Sequence, residues 1–450
     1  MQLAELLEHT TVLLRPVGEV DRIAKSGRTA DDGCLVCLCG ANAEDEAEVA
    51  YSRGARIFLC DRFLPLPADC TVLVSQSFSM DYDRIAKNFY HRPDERLTRI
   101  AVTGDGDTLA VAGLLARMAD RHGTPAVLIA ADGYQMGNQR TMHVDPPVGD
   151  RELYHAMWDG VRNGCQIAIL HLPPLLLKEG VAKHLSVNTT VIVGTATHGE
   201  HLIEHTTDAV ICPTEEAYRF TGKRTRTYGG DGALVCRIEE KRSDGTLLSL
   251  SDGKSLTVRL MHDNAHRLCE IALLAGLELG ISLREGQKIL KEISALSSLE
   301  VIAEQKGALY LLDASYTPTD TERVLRAVRE HTKGRLIVVI GCVGMRDNDR
   351  RTPIGRALED YADRIYLTAD NPGFESVSRI CAEILSDVAD ASKFTVLPQR
   401  EDAIRAAAAE ARRGDAVLLL GKGYEPYQLI GSKRIPYSER ETLLRILDQA

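Results

Sequence analysis

The 450-residue sequence lacks three features that would each place it in a particular class of protein. It has no apolar stretch long enough to cross a membrane, so we expect no membrane segment. Its start, MQLAELLEHTTVLL, has no basic residues followed by an apolar core, so we expect no signal peptide. Positive charge is not in excess, since 54 lysines and arginines stand against 64 aspartates and glutamates. The net charge of -10 therefore gives no sign of a nucleic-acid-binding protein.

The eleven cysteines are an odd number in a chain without an export signal. This predicts free thiols in a reducing cytoplasm. Cys34, Cys37 and Cys39 lie close together in CLVCLC. A metal site would need a matching Cys/His pair nearby, and none follows. We therefore favour a buried strand that uses cysteine as a small hydrophobic residue.

Apolar runs of strand length alternate with helical patterns over most of the chain, which predicts an α/β fold with largely parallel sheets. The clearest strands are residues 336–342, 364–370 and 416–423. The helical stretch TERVLRAVREHTKG has a possible capping box at Thr319 and Glu322 and a possible end at Gly334. Asp313 and Thr317–Pro318 are alternative caps for the same helix.

Two boundaries are predicted from the pattern. One falls near residue 96, before the strand LTRIAVTG, and the other near residue 298, after a helical hairpin-like stretch that includes residues 264–281. They predict domains at residues 1–96, 97–298 and 299–450. Ligands of open α/β sheets bind beyond the carboxyl ends of the strands, so the polar residues after each strand are the candidate sites.

The strand at residues 99–103 runs into GDGDTLAVAGLLARMADRHG, the layout of a phosphate-binding loop. Gly104, Gly106 and Thr108 are present, but Asp107 stands where such a loop has its lysine. A carboxylate ~4 Å from a phosphate charge costs about 4 kcal/mol at an effective dielectric of 20. We therefore favour a strand-to-helix turn whose aspartates cap the helix. The alternative, a phosphate site, needs a metal ion between Asp107 and the phosphates.

Four motifs in the last third resemble those of the Mur ligase family. LLDASYTPTD resembles V-D-Y-A-H-T-P-D, and IGCVGMRDNDRRTPIG resembles F-G-C-G-G-D-R-D-x-x-K-R-P-x-M-G. TADNPGFE resembles T-S-D-N-P-R-x-E, and GKGYEPYQ with IPYSERE resembles G-K-G-H-E-x-Y-Q with P-F-D-D-R-E. The four motifs occur in the family's order, and they most resemble those of the branch that adds the third residue to UDP-N-acetylmuramoyl dipeptide. Upstream, AKNFYHRPDERLTRIAVTG resembles the stretch that leads into the family's ATP loop.

The resemblance implies three domains: a uridine-nucleotide domain, a central ATPase-like domain and a C-terminal Rossmann-like domain that binds the incoming amino acid. It implies a bacterial cytoplasmic ligase that uses ATP and Mg²⁺ to make an acyl phosphate, which an amine attacks. The implied nucleotide-binding residues are Thr103, Gly104, Gly106, Thr108, Asn264 and Asp313. The implied residues for the amino acid or other substrate are Arg346, Asp370, Asn371, Gly421, Lys422 and Glu425.

Departures from the family pattern cluster at the positions that the resemblance implies for ATP and Mg²⁺. The family's T-G-T-N-G-K-T-T is TGDGDTL here, one residue shorter and without the lysine. His171 stands in place of a glutamate that binds Mg²⁺, and imidazole is a poor ligand for that hard cation. His201 survives from T-N-x-x-x-D-H-L-D-Y-H, but Glu200 and Ile203 replace its aspartates. The segment with the family's carbamylated lysine is missing after EHTTDAVICPT, so no catalytic residue is assigned.

Further departures concern the residues that contact substrate. Val144–Asp145–Pro146 replaces T-T-P, and Ser298 replaces the arginine of G-R-M-E. Tyr316 and Tyr424 each replace a histidine. Gly373 replaces the arginine of D-N-P-R, which in the diaminopimelate-adding enzymes grips the distal carboxylate, and glycine cannot supply a bidentate grip.

Several residues have two interpretations. His198, His201 and His205, with Glu200 and Glu204, could hold a soft metal, but a solvated loop or a relic of the ATPase site is favoured. Lys422 and Glu425 could form an anion or amino-acid pocket or a structural turn. Asp370–Asn371–Pro372 could bind substrate or be a turn, which all three residue types favour.

These patterns lead to two main hypotheses. The first is a pseudoenzyme that keeps the Mur ligase architecture and serves as a binding or regulatory partner in cell-wall synthesis. The second is an active ATP-dependent ligase that joins an amino acid to a UDP-muramoyl peptide or a related carboxylate. A third possibility is a subunit beside an intact Mur ligase or another cell-wall enzyme.

Overall fold

A computed structural model describes residues 1–12, 18–131, 133–137, 139–142, 148–230, 232, 234–242, 245–293, 295–296, 299–345, 348–423 and 425–449. The chain divides into two compact units. The first comprises residues 1–228 and 274–281, and the second comprises residues 229–273 and 282–450. In the described part of the chain, every helix is too short or too polar to span a bilayer.

The first unit contains two sheets. Its strands are β1 (Arg22–Ala24), β2 (Cys34–Leu38), β3 (Ile57–Cys60), β4 (Thr71–Val74), β5 (Thr98–Thr103), β6 (Ala126–Ala130), β7 (Gly133–Met136), β8 (Gln139–Met142), β9 (Ile167–His171), β10 (Val187–Ile192), β11 (Thr206–Pro213) and β12 (Thr225–Tyr228). Its helices are α1 (Leu3–Leu6), α2 (Ala43–Ser52), α3 (Phe78–Phe89), α4 (Thr108–His122), α5 (Asp150–Arg162), α6 (Pro174–Lys178) and α7 (Glu200–Glu204).

The smaller sheet of the first unit is parallel, in the order β1-β2-β3-β4. Strand β2 is CLVCL, buried along its whole length, so the prediction of a cysteine-containing buried strand is confirmed. The larger sheet has the order β12-β11-β10-β5-β9-β6-β7-β8, in which β7 runs antiparallel to both of its neighbours, β6 and β8, and the other described pairs are parallel. Strand β5 therefore lies inside this sheet, between β10 and β9.

The second unit follows. Its strands are β13 (Cys236–Arg242), β14 (Gly245–Leu250), β15 (Ser255–Val258), β16 (Ala295–Leu296), β17 (Leu299–Gln305), β18 (Ala308–Asp313), β19 (Leu336–Ile340), β20 (Arg364–Leu367), β21 (Phe394–Val396), β22 (Ala416–Leu420), β23 (Tyr427–Ile430) and β24 (Lys433–Pro436). The remaining helices are α8 (Ala265–Glu278, which ends in the first unit), α9 (Leu283–Glu292), α10 (Pro318–His331), α11 (Arg351–Tyr361), α12 (Val377–Ile384), α13 (Arg400–Glu410) and α14 (Glu439–Asp448).

The main sheet of the second unit has the order β16-β17-β18-β22-β19-β20-β21. Strands β18, β22, β19, β20 and β21 are parallel. Strand β22 is AVLLL, buried at every position, as a strand covered on both faces must be. The α/β prediction is confirmed, and the three predicted strands begin where expected. They end two or three residues earlier, because Gly341, Thr368 and Gly421 already lie in the loops.

The N-cap of helix α10 lies two residues before the start of the predicted capping box. Thr317 is its N-cap, and the Thr317 hydroxyl accepts a hydrogen bond from the Asp320 N–H at 3.2 Å. Pro318 occupies the first helical position, where no N–H is needed. The capping box at Thr319 and the end at Gly334 were wrong, since the helix ends at His331. The alternative cap at Thr317–Pro318 is confirmed.

Asp83 on α3 is a buried carboxyl group that faces α5. The Tyr154 hydroxyl donates to it at 3.0 Å. Burial, and secondarily the nearby Asp150, raises the pKa of Asp83 to about 7. An unfolded chain ionises this carboxyl at its ordinary pKa of 3.8, so the neutral group stabilises the fold fully below that pH. This stabilisation is lost as the pH rises to about 7.

The variant Asp83→Asn tests this titration. Asparagine still accepts from Tyr154 but cannot ionise, so its stability relative to wild type should increase with pH. One pKa unit is worth about 1.4 kcal/mol, and we expect the difference in unfolding free energy to grow by about 2 kcal/mol between pH 5 and pH 8. Urea denaturation at both pH values measures it. A difference that does not change with pH would contradict the assignment.

Candidate functional site

The loop at residues 104–107 leaves the carboxyl end of β5 and leads into α4. Gly104 has φ +123°, and a Cβ there would overlap the Val193 carbonyl group. A Cβ at Gly106 would lie 3.0 Å from the Val193 side chain. Both glycines therefore permit the close approach of this loop to the residues that follow β10.

Hydrogen bonds join the two loops. The Gly106 N–H donates to the Val193 carbonyl at 3.0 Å. The Asp105 carboxylate accepts the Thr195 N–H at 2.7 Å. Asp107 precedes α4 but makes no side-chain cap, so the prediction that the aspartates cap this helix is wrong. Asp105 is used instead to join the loop to the chain after β10.

Thr108 and His171 are brought together because β5 and β9 are neighbours, with Val102 opposite His171. Thr108 Oγ1 and His171 Nε2 lie 2.9 Å apart and share a hydrogen bond. Thr103 is fully buried, and among the described residues its hydroxyl has no hydrogen-bond partner. Thr108 and His171, which stands in place of the family's glutamate, are therefore hydrogen-bonded to each other.

His201 lies on the short helix α7. Its Nε2 is buried and has no hydrogen-bond partner in the described part of the chain. Burial, and secondarily the neighbouring His205, lowers the pKa of His201. The described residues contain no group of three or more His, Cys, Asp or Glu side chains that could hold a metal ion. The soft-metal interpretation of this segment therefore gains no support.

Asn264 and Asp313 belong to the second unit. Asn264 precedes α8, and its N–H donates to His262 Nδ1 at 3.0 Å. Asp313 ends β18 and is fully buried; its carboxylate accepts the Ser315 N–H at 2.6 Å. Their assignment to a nucleotide stays a prediction.

The carboxyl ends of β18, β22, β19 and β20 form one edge of the second unit's main sheet. Asp313, Gly421 and Asp370 all lie at this edge. The Gly421 N–H donates to the Asp313 carbonyl at 3.0 Å. Gly421 has φ +96°, and Gly423 has φ +58° with no room for a Cβ beside Ala314. The parallel strands therefore bring the predicted substrate residues together.

Lys422 is the centre of this edge, with a fully buried side chain. Its Nζ donates to Asn371 Oδ1 and Glu425 Oε2, each at 2.8 Å, and lies 3.3 Å from Asp370 Oδ1. The Asn371 amide donates to the same Glu425 oxygen at 2.6 Å. Burial raises the pKa of Asp370, which Arg400 and Lys422 oppose. Asn371 thus makes contacts well beyond a local turn.

Arg400 supports this edge, and sequence reasoning missed it. Its guanidinium pairs with Glu439 at 2.6–3.0 Å and donates to the carbonyls of Ala369 and Leu420, each at 3.3 Å. Those carbonyls follow β20 and end β22, so one side chain joins two strands. Glu439 lies in the quoted IPYSERE motif, whereas no motif marks Arg400.

Arg351 on α11 is a second fully buried arginine that pairs with carboxylates. It donates to both oxygens of Glu375 at 2.7 and 2.9 Å and to Glu383 at 2.6 Å. The Arg351 guanidinium lowers the pKa of Glu375 to about 2. Glu375 in turn accepts the Met345 N–H at 2.9 Å.

Gly373 and Tyr316 are two of the departures noted above. Gly373 has φ +57°, its N–H donates to the Leu429 carbonyl at 3.1 Å, and its carbonyl accepts the Gly431 N–H at 2.7 Å. Tyr316 is largely exposed, with the Arg350 guanidinium 5.5 Å from its ring centroid. Six other positions lie outside the described residues: Arg346, Val144–Asp145–Pro146, Ser298 and Tyr424.

Comparison with known proteins agrees with this architecture. The family described as "Mur ligase, glutamate ligase domain" matches residues 299–423. The UDP-N-acetylmuramoyl-L-alanyl-D-glutamate--2,6-diaminopimelate ligase of Aquifex aeolicus is 27% identical over 433 residues, covering 91% of this chain and 88% of the relative. A solved structure of a ligase with that name has a TM-score of 0.66 at 20% identity and is matched over 100% and 99% of the two chains. The MurF ligase of Thermotoga maritima, solved in complex with ADP, has a TM-score of 0.53 at 14% identity, over 95% and 97%.

Proposed function

This chain belongs to the Mur ligase family, and we propose that it serves peptidoglycan precursor synthesis as a binding protein that does not turn over ATP. We further propose the family's three domains at residues 1–96, 97–298 and 299–450. The ligand would be a UDP-muramoyl peptide or an amino acid, in the bacterial cytoplasm. An intact Mur ligase or another cell-wall enzyme is the proposed protein partner.

One observation carries this proposal: polar groups of the loop after β5 are hydrogen-bonded to other residues of the same chain. The Gly106 N–H is bonded to Val193, and the Asp105 carboxylate is bonded to Thr195. A phosphate-binding loop needs such N–H groups free to face the phosphates and a lysine to neutralise them. This loop has two aspartates and no lysine.

The residues also fit Mg²⁺ poorly. Mg²⁺ prefers oxygen ligands in octahedral geometry. Here the Thr108 hydroxyl is hydrogen-bonded to the imidazole of His171, a nitrogen donor, where the family has a carboxylate. The MurF ligase of Thermotoga maritima was solved in complex with ADP. In this chain the side chains that would hold ATP and Mg²⁺ are missing or already bonded.

An active ligase is the second candidate, and the assembly of Lys422, Asn371 and Glu425 favours it. Phosphate release distinguishes the two. The purified chain is incubated with Mg-ATP, UDP-N-acetylmuramoyl-L-alanyl-D-glutamate and a mixture of amino acids, with the Aquifex aeolicus relative as positive control. We expect no release above the protein-free rate. Turnover that depends on the chain, on Mg²⁺ and on an amino acid would establish the active ligase instead.

A further inference from the structure

Large apolar side chains are exposed beside the polar edge of the second unit's main sheet. Met345 is 68% exposed, Phe374 is 75% exposed and Ile430 is 46% exposed. All three lie around Gly373. A Cβ added to Gly373 would lie 3.3 Å from Met345 Sδ, and Gly373 pairs with Ile430 in a β-bridge. We call Met345, Phe374 and Ile430 the Gly373 patch.

Met345 is held in place by a buried ion pair. Its φ of +59° is a left-handed conformation that side-chain-bearing residues rarely adopt. The Met345 N–H donates to Glu375, and the fully buried Arg351 fixes that carboxylate. A backbone outlier that is held by its surroundings is a common feature of ligand sites. The fold therefore holds an exposed thioether at the carboxyl ends of the parallel strands, where ligands of such sheets bind.

The patch is continuous with a carboxylate open to solvent. The Gly373 N–H donates to the Leu429 carbonyl, and the Leu429 N–H donates to Asn371 Oδ1 at 2.9 Å. The Asn371 amide then donates to Glu425, whose side chain is 46% exposed. Three hydrogen bonds thus join the patch to an exposed anion suited to an ammonium group.

The buried cations at this edge are already paired with carboxylates. Lys422 contacts Glu425 and Asp370, and Arg351 and Arg400 each bind glutamate. In the described part of the chain each of these three cations is already engaged, so none is free to pair with a carboxylate on the side chain of a ligand. A ligand side chain over the patch meets methionine, phenylalanine and isoleucine, which favour apolar groups by excluding water.

From these contacts we propose that this surface binds an amino acid with an apolar side chain, its amine at Glu425 and its side chain on the Gly373 patch. The inference rests on the proposed function, since it names the amino acid that the family's C-terminal domain would bind here. It assigns Met345 and Phe374 as specificity-determining residues.

Calorimetric titration of the full chain tests this assignment. L-leucine, L-phenylalanine, L-glutamate and meso-diaminopimelate are titrated separately, with and without UDP-N-acetylmuramoyl-L-alanyl-D-glutamate. We expect the two apolar amino acids to bind at least tenfold more tightly than the two with a second carboxylate. The double variant Met345→Ser/Phe374→Ser should lose at least tenfold in affinity for L-leucine. Phe63→Ser, at a residue 72% exposed in the first unit, is the matched control and should bind as wild type does.

Three results would overturn the inference: equal or tighter binding of the acidic amino acids, unchanged L-leucine affinity in the double variant, or no amino-acid binding in either condition. Thermal unfolding checks that the variants are folded, as expected for exposed positions. Phosphate release from ATP would overturn the proposed function alone, because the order of amino-acid affinities is measured without nucleotide.

Discussion

Arg400→Met is expected to destabilise the protein by about 3–5 kcal/mol, because it leaves Glu439 as a buried charge without its cation. Both side chains are almost completely buried, at 1% and 0% exposure. The Glu439 carboxylate would keep the Tyr437 hydroxyl, which donates at 2.9 Å, but would lose all three guanidinium contacts. The change would also release the carbonyls of Ala369 and Leu420.

Arg445→Met is the matched control for this prediction. Arg445 pairs with Glu401 at 2.9 Å, but the two side chains are 49% and 40% exposed. An exposed pair contributes about 0–1 kcal/mol. Urea denaturation of both variants measures the contrast, and the double variant Arg400→Met/Glu439→Leu should recover part of the loss because both charges are removed. Equal losses of unfolding free energy in the two single variants would show that burial does not determine how much such a pair contributes to stability.

Gly104→Ala is expected to cost about 3 kcal/mol or more, since its methyl group would overlap the backbone of Val193. The positive φ of +123° adds strain for any residue with a side chain. Neither loop can move freely, because Asp105 and Gly106 are hydrogen-bonded to the residues after β10.

Gly123→Ala separates these two causes. Gly123 ends α4 with φ +92°, and nothing lies within 4 Å of the added methyl group. Only the backbone strain remains there, worth about 1 kcal/mol. Denaturant unfolding of both variants gives the comparison. If Gly104→Ala cost no more than Gly123→Ala, the close contact of the two loops would be refuted.

The sequence predicted the α/β class and the strands that carry the candidate site, because buried parallel strands are continuous apolar runs that end in loops. It also marked the polar residues after these strands as candidate sites, and the structure places Asp370, Asn371, Gly421 and Lys422 at one edge of the sheet. The reason is physical, since parallel strands of one sheet place their carboxyl ends together. The resemblance to the family added that these residues are candidates for substrate binding.

Contacts between distant segments could not be predicted in the same way. The partnership of Arg400 with Glu439 spans 39 residues, and that of Asp105 with Thr195 spans 90. No local pattern marks either pair. The error at α10 was of another kind: two threonines could cap the helix, and the chain uses Thr317 because Pro318 suits the first helical position.

Calorimetric titration of Mg-ATP into the full chain tests the central claim most directly. With the Aquifex aeolicus relative as positive control, we expect no heat of binding at millimolar nucleotide, because the Gly106 N–H is bonded to Val193 and the loop carries two aspartates and no lysine. Binding with a dissociation constant in the micromolar range, about -8 kcal/mol, would contradict it and show that the loop forms a working nucleotide site.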